Sequence, residues 1–193
     1  AASVLDRPAS AAPAVAGGGI GRIAVLQPYL FPYLGTLQLA RQVDRFLFFD
    51  DVAFIKKGFI HRNAILLDGQ AHAFTAPVRQ ASQNRTIAEH DYVGDWQPLL
   101  ALLQRAYAGA PFFAPVFERV RGVLLDADDN VARKNARSLV AVFDHLGLPF
   151  DHGFASAHAL PADLRASARV RALCRAEGAH TYVNPAGGRA LYD

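Results

Sequence analysis

The sequence predicts an α/β fold with a Rossmann-like three-layer core, a β-hairpin insertion and a helical middle segment. An apolar, β-branched segment at residues 22–27 stops at a proline and predicts a buried strand. Residues 34–43 place apolar side chains at helical spacing, and the apolar run at 45–49 predicts a second strand. This β-α-β order is typical of a parallel sheet covered by helices.

The hairpin and the helical segment follow. Residues 65–67 and 71–78 are predicted to pair around the Asp-Gly dipeptide at 68–69, which favours a tight turn. Asp128 or Asp129 is predicted to open one of the later helices, because a carboxylate accepts from the free N–H groups of a first turn. The remaining predicted elements are helices at 96–107, 112–125, 128–146 and 161–177 and a strand at 181–183.

Length and composition indicate one folded domain. The chain has 193 residues, 52% hydrophobic content and 13 Phe, which is enough to bury a core. We assign residues 21–193 to this domain. Residues 1–20, rich in Ala, Pro and Gly, are predicted to form a disordered tail.

Charge, hydropathy and cysteine content narrow the functional class. A net charge of +3, from 20 basic and 17 acidic residues, suits a small anionic substrate and argues against nucleic-acid binding. No apolar run approaches the ~20 residues that a membrane span needs. The single cysteine, Cys174, cannot form an intrachain disulfide and favours a cytoplasmic location.

Polar residues follow both predicted strands. Gln27 and Pro28 end the first strand, where a ligand meets the next helix's free N–H groups, although a stiff structural corner is the competing interpretation. Asp50 and Asp51 end the second strand. One carboxylate suits a general base or a Mg²⁺ ligand while the other caps or orients, and two solvated turn residues are the alternative.

A basic cluster comes next in the chain. Lys56, Lys57 and Arg62 are predicted to bind phosphate or carboxylate, and His61 can transfer a proton near neutral pH. A solvated basic edge strand explains the same pattern. No histidine shows metal-ligand spacing, so no zinc site is predicted.

The loop at 184–189 is the last candidate. Gly187 and Gly188 allow a close approach of backbone to a ligand, and Asn184 brings an amide to the same loop. A plain turn has the same composition, so this segment alone does not define a site.

Four segments together resemble the WbqC-like family of bacterial proteins. They are QPYLFPYLG at 27–35, FDDVAFIKKGFIHRN at 49–63, SQN at 82–84 and TYVNPAGGRALYD at 181–193. The resemblance covers residues 22–193 in order. Family members occur among genes for surface polysaccharide, notably O-antigen, and they extend beyond the position of Asp193, which implies a domain truncated at its C-terminus.

The resemblance also implies a set of site residues. This chain departs from the family pattern at two positions. Phe59 occupies a position where the family is expected to have tryptophan. His61 occupies a position expected to hold asparagine or another polar residue, which weakens a catalytic role for His61. The family's marked positions fall on Gln27, Pro28, Pro32, Gly35, Asp50, Asp51, Lys56, Arg62, Asn63, Asn184, Pro185, Gly187 and Gly188.

These observations lead to one main hypothesis and two alternatives. The main hypothesis is a cytoplasmic transferase acting on an activated sugar or a related phosphorylated metabolite, with Asp50 or Asp51 as base or Mg²⁺ ligand. Acyl or aminoacyl transfer onto an amino sugar is the first alternative. The second is a non-catalytic partner of a biosynthetic complex, which would dock through Trp96, Tyr107 and neighbouring aromatic residues.

Overall fold

A parallel sheet of four strands forms the centre of the protein in a computed structural model that describes residues 20–185. Residues 1–19 of the predicted tail at 1–20 and the predicted ligand-binding residues Gly187 and Gly188 lie outside the described residues. The strands are β1 Arg22–Leu26, β2 Arg45–Phe48, β3 Arg62–Leu67, β4 Gln70–Thr75, β5 His152–Phe154 and β6 Thr181–Tyr182. The helices are α1 Leu34–Arg41, α2 Gln97–Tyr107, α3 Phe113–Leu124, α4 Val131–Leu146 and α5 Ala166–Ala176.

The order of strands in this sheet is β5-β2-β1-β6, and every neighbouring pair is parallel. The chain moves outward from β1 to β2 and β5, and then returns to place β6 on the other side of β1. The strand order therefore reverses between β1 and β6. In open parallel sheets, ligands bind beyond the carboxyl ends of the strands at such a reversal.

Apolar alternation builds three layers. Ala24 and Phe46 point to the face covered by α1 and α4, where they meet Leu139. Ile23 and Leu47 point to the opposite face, which α5 covers. The predicted α/β architecture, with a parallel sheet flanked by helices, is confirmed.

A second core lies beneath the loops that leave the sheet. The antiparallel hairpin β3-β4, the helices α2 and α3 and the start of α4 pack around Phe54, Ile60, Tyr92 and Leu124. The predicted hairpin turn is confirmed, since Asp68 and Gly69 both adopt positive φ between the two strands. The prediction of a helical middle segment is likewise confirmed by α2, α3 and α4.

Some predicted boundaries are wrong for identifiable reasons. Helix α4 is capped by Asn130, whose side chain accepts from the Arg133 amide, while Asp128 is engaged by the Arg133 guanidinium instead. Helix α5 begins at Ala166 rather than at 161. Strand β5 was not predicted, because three residues that include a glycine carry no hydrophobic period.

One buried cation joins α3 to α4. Lys134 is wholly removed from solvent, and its Nζ donates to the carbonyl oxygens of Val123 (3.3 Å), Leu124 (3.0 Å) and Asp126 (2.9 Å). The ammonium also lies 5.4 Å from the centroid of the Trp96 ring. Burial lowers the pKa of Lys134. This side chain therefore satisfies carbonyls that the end of α3 leaves without helical partners.

Replacing this cation tests its role. We expect Lys134→Met to lower the free energy of unfolding by about 3 kcal/mol, because three buried carbonyls lose a charged donor. Urea unfolding followed by circular dichroism measures the change. The exposed Lys56→Met is the matched control and is expected to stay within ~0.5 kcal/mol of wild type. Equal stability of Lys134→Met and wild type would contradict this account.

Candidate functional site

The carboxyl ends of the parallel strands bring four predicted residues to one edge of the sheet. Gln27 follows β1, Asp50 and Asp51 follow β2, and Asn184 follows β6. Their strands are neighbours, with Leu26 opposite Phe48 across β1 and β2. We call Gln27, Asp50, Asp51 and Asn184, together with Ser156 and Arg169, the carboxyl-edge site.

Asp50 is a buried carboxylate held by one partner. Its two oxygens accept from the Ser156 amide at 2.9 Å and the Ser156 hydroxyl at 2.6 Å. Burial raises the pKa of Asp50, the hydrogen bonds from Ser156 oppose that rise, and the neighbouring Asp51 adds to it. These hydrogen bonds join the end of β2 to the short turn after β5, so Asp50 stabilises the packing of these two segments.

Asp51 differs from its neighbour in the hydrogen bonds that its two oxygens accept. Arg169 of α5 donates from Nε (3.1 Å) and from Nη2 to the same oxygen, Oδ2. Oδ1 is buried and accepts no hydrogen bond from the described residues. Both side chains of this ion pair are almost fully buried, at 11% exposed for Asp51 and 12% for Arg169. A buried carboxylate oxygen without a donor is costly, and a bound group that donates a hydrogen bond would satisfy it.

Gln27 lies beside a half-buried tyrosine. The Tyr29 hydroxyl donates to Gln27 Oε1 at 3.2 Å, which leaves the Gln27 amide group as a donor. Burial, and the nearby Tyr33, raise the pKa of Tyr29. Pro28 is buried, and its carbonyl accepts from Asn135 Nδ2 at 3.0 Å, so its contribution is to the backbone of the loop.

Asn63 also serves the loop after β1. Its Nδ2 donates to the carbonyl oxygens of Leu30 (3.1 Å) and Phe31 (2.6 Å), and its Oδ1 accepts from the Ala64 amide. Both Nδ2 hydrogens of this predicted substrate-binding side chain are therefore used by backbone. The side chain fixes the path of the loop that begins at Gln27.

The three cations of the predicted phosphate site lie in and beside a tight turn that follows Asp51 along the chain. Lys56 and Lys57 occupy the corner of a tight turn closed by the Gly58 amide, which donates to the Ile55 carbonyl at 3.2 Å. Arg62 Nη1 donates to the Lys57 carbonyl at 3.3 Å. All three side chains are exposed, and within residues 20–185 no ion pair or hydrogen bond joins them to the aspartates.

His61 is buried rather than presented to a ligand. Its ring is tilted against the Phe54 ring with centroids 5.0 Å apart, and the Phe54 ring stacks on the His90 ring with centroids 4.6 Å apart. Burial lowers the pKa of His61, and Arg62 acts in the same direction. His90 is a structural residue, because its ring nitrogens bind the Ser82 amide and the Thr86 carbonyl.

Asn184 and Pro185 lie at the end of β6 and are half-buried. The Val183 amide donates to the Ile23 carbonyl at 2.8 Å, which aligns the start of this segment with β1. The part of the chain covered by the structure contains no group of three His, Cys, Asp or Glu side chains that could hold a metal. A Mg²⁺ ion held by one carboxylate and substrate phosphates needs no such group.

Two residues of the carboxyl-edge site carried no local sequence signal. Ser156 contacts Asp50 across 106 residues, and Arg169 contacts Asp51 across 118. Arg169 lies on the arginine-rich helix α5, but its side chain is largely buried against Asp51. Only the return of α5 over the sheet brings this guanidinium to the end of β2.

Two apolar cavities lie around α3, away from the carboxyl-edge site. The larger, about 270 Å³, is lined mainly by aromatic and aliphatic residues of α2 and α3 and is bordered by Phe112, whose side chain is 79% exposed. The second, about 160 Å³, lies between α3 and α4 and reaches Phe31. Of the aromatic residues predicted to form a docking patch, Trp96 is buried in the second core.

Comparison with known proteins places the chain in a family. Residues 27–193 match the WbqC-like protein family. The chain is 26% identical, over 182 residues, to the uncharacterized protein Rv1507c of Mycobacterium tuberculosis (strain ATCC 25618 / H37Rv), with 89% of this chain and 75% of that protein covered. No solved structure matches the chain. None of the helices within residues 20–185 is long and apolar enough to cross a membrane. Because the match spans most of the chain, including both strand-end motifs, the protein belongs to the WbqC-like protein family.

Proposed function

We propose that the protein is a transferase that acts on an activated sugar or a related phosphorylated metabolite in bacterial surface polysaccharide biosynthesis. The observation that carries the proposal is Asp51 Oδ1, which is buried beyond the carboxyl end of β2 and accepts no hydrogen bond from residues 20–185. This is an oxygen positioned to accept a proton from a bound group, in the region where such sheets bind ligands.

The proposed step uses Asp51 as a general base. The acceptor's hydroxyl gives its proton to Oδ1, and the acceptor oxygen forms a bond to the electrophilic carbon of the donor. The bond between that carbon and the donor's phosphate oxygen breaks, and its electron pair leaves with the phosphate. A carboxylate in this role contributes about 10²–10⁴-fold to the rate.

The remaining groups position this base and its substrate. Arg169 binds Oδ2 through two N–H groups and so directs Oδ1 away from itself. Asp50 and Ser156 hold the ends of β2 and β5 together, which supports a positioning role for Asp50. The amide hydrogens of Gln27, which donate to no acceptor within residues 20–185, are suited to a sugar hydroxyl.

Phosphate binding is proposed for the exposed cations Lys56, Lys57 and Arg62, whose turn carries no paired acid within the described part of the chain. The glycine loop that includes Gly187 and Gly188 is proposed to close over the substrate, with Asn184 at its start. Mg²⁺ is proposed as an optional partner of the phosphates. The single free cysteine suits the reducing cytoplasm, which we propose as the site of action.

A second reaction class uses the same base. Acyl or aminoacyl transfer onto an amino sugar would have Asp51 Oδ1 take a proton from an amine instead of a hydroxyl. The buried, unpaired oxygen supports either acceptor. The mass of the product distinguishes them, because an acyl or aminoacyl group and a sugar add different masses to the acceptor.

The exposed Phe112 beside an apolar cavity favours a further candidate function, that of a non-catalytic partner protein. That function would leave Asp51 dispensable and make Phe112→Ser the damaging change. The test compares how well Phe112→Ser and Asp51→Asn capture other proteins of the biosynthetic complex. A docking function predicts that Phe112→Ser loses capture and that Asp51→Asn keeps it.

We expect Asp51→Asn to abolish most turnover while leaving the fold intact, because asparagine keeps the size of the side chain but cannot act as the base. A panel of nucleoside diphosphate sugars, each with and without Mg²⁺, is screened by thermal shift against wild type. Product formation with any sugar that binds is followed by mass spectrometry. The variant is expected to be about 10²–10⁴-fold slower.

Asp68→Asn is the matched control, since that carboxylate is exposed at the hairpin turn far along the chain from the site. It is expected to bind and react as wild type does. Turnover by Asp51→Asn at the wild-type rate would contradict the assignment of the base. A panel in which nothing raises the melting temperature of wild type would contradict the substrate class.

The raised pKa of Asp50 gives a second prediction. The folded chain binds this proton more tightly than the unfolded chain, so wild type should lose stability relative to Asp50→Asn as pH rises above 3.8, the ordinary value. The loss should level off once pH passes the raised folded value. Urea midpoints of both proteins, measured at several pH values between ~3.5 and ~7, provide the test.

Ser156→Ala extends this test. Removing the hydroxyl donor should raise the pKa of Asp50 further and move the end of the stability loss to higher pH. If wild type instead gains stability relative to Asp50→Asn as pH rises, the hydrogen bonds from Ser156 outweigh burial, and the assigned cause is wrong.

A further inference from the structure

A rigid turn carries exposed apolar and basic side chains out of the second core. Phe54 and Ile60 are both fully buried and anchor its two ends. Between them the Gly58 amide closes the turn on the Ile55 carbonyl. The five intervening residues 55–59 therefore protrude from fixed points, and we call them, with Arg62, the basic turn.

Two features of the basic turn are unusual for a surface that faces only water. Phe59 is 72% exposed and Ile55 is 43% exposed, although both are large and apolar. Lys56 and Lys57 form the corner beside them, and Arg62 lies against the Lys57 backbone. The apolar and cationic groups thus share one small protrusion.

The local charge has a single sign. No acidic residue occurs between Asp51 and Asp68, so the stretch 52–67 carries three cations and no anion. Asp51 is engaged by Arg169, and Asp68 lies 3.6 Å from Arg105. The cations of the basic turn consequently face solvent without a protein counter-charge from residues 20–185.

We propose that the basic turn docks the protein on an anionic lipid surface, with Phe59 and Ile55 entering the headgroup region and the three cations binding lipid phosphates. Aromatic rings favour the membrane–water interface, and long basic side chains reach from it to the headgroups. Each cation near such a surface adds attraction that salt screens. The inference rests on the phosphate-binding role proposed above for Lys56, Lys57 and Arg62, and it assigns that role to lipid phosphates in place of the phosphates of a soluble donor.

The geometry favours a surface over a soluble anion. A soluble phosphate is held by converging donors, whereas Lys56 and Lys57 project from the corner of a turn and are both exposed. A small polar anion would leave Phe59 in water, but a bilayer interface removes its apolar area from water. Entry of one aromatic ring and two or three cations supports reversible, peripheral docking.

Vesicle co-sedimentation of the full chain tests the proposal. We expect binding to vesicles that contain phosphatidylglycerol and little binding to phosphatidylcholine alone, with affinity falling as salt rises. Lys56→Gln/Lys57→Gln should bind about 25-fold more weakly. Phe59→Ser should bind about 10-fold more weakly, because it loses the buried ring.

Matched control variants remove the same kinds of side chain at positions outside the basic turn. Arg41→Gln/Arg119→Gln removes two exposed charges, and Phe112→Ser removes an equally exposed ring. Both controls should bind vesicles as wild type does. Equal sedimentation with the two lipid compositions, or equal losses in the controls and the basic-turn variants, would overturn the proposal.

Further arms separate lipid from other anions. One outcome is that wild type does not bind vesicles but binds a nucleoside diphosphate sugar or inorganic phosphate, and that Lys56→Gln/Lys57→Gln loses this binding. In that case the lipid inference fails and the proposed function stands. Binding of a single-stranded oligonucleotide by the basic turn, without vesicle binding, overturns it as well. Asp51→Asn should keep full vesicle binding, so loss of transfer and loss of docking are measured independently.

Discussion

The buried side-chain amide of Asn135 joins the loop after β1 to the second core, and the rest of the structure depends on this contact. Asn135 of α4 donates from Nδ2 to the Pro28 carbonyl at 3.0 Å and to the Ile60 carbonyl at 2.7 Å, and its Oδ1 accepts from the Tyr92 hydroxyl at 2.7 Å. Three distant segments therefore meet on one side chain. Because each buried group would be costly without its partner, the contact specifies how the second core sits against the loop after β1.

The same helix secures that loop at a second point. Ser138 lies one turn beyond Asn135 and accepts from the Phe31 amide at 3.1 Å, while Asn63 binds the Phe31 carbonyl. Phe31 is held with a positive φ, a conformation rare for an aromatic residue. The loop that starts at Gln27 is thus rigid by construction, which suits a segment that must keep a ligand-facing edge in place.

Asp50 and Asp51 are chemically identical side chains with different partners and different proposed roles. Both oxygens of Asp50 accept from Ser156, whereas Asp51 faces Arg169 and keeps one oxygen without a donor among the residues that the structure describes. The sequence predicts that one carboxylate acts while the other orients, since strand alternation sends them apart. It could not assign the roles, because the partners lie more than a hundred residues away and reach the site only when β5 and α5 pack on the sheet.

Local pattern determined the α/β class, the β1-α1-β2 unit, the hairpin turn and the helical middle, because apolar periodicity and turn chemistry act over a few residues. It also predicted that Gln27 ends the first strand and that Asp50 and Asp51 end the second. Tertiary structure decided the rest. It left Lys56, Lys57 and Arg62 exposed at a turn and used the Asn63 amide to bind backbone carbonyls. These outcomes depend on contacts between distant segments, and no short-range pattern records which buried donor meets which acceptor.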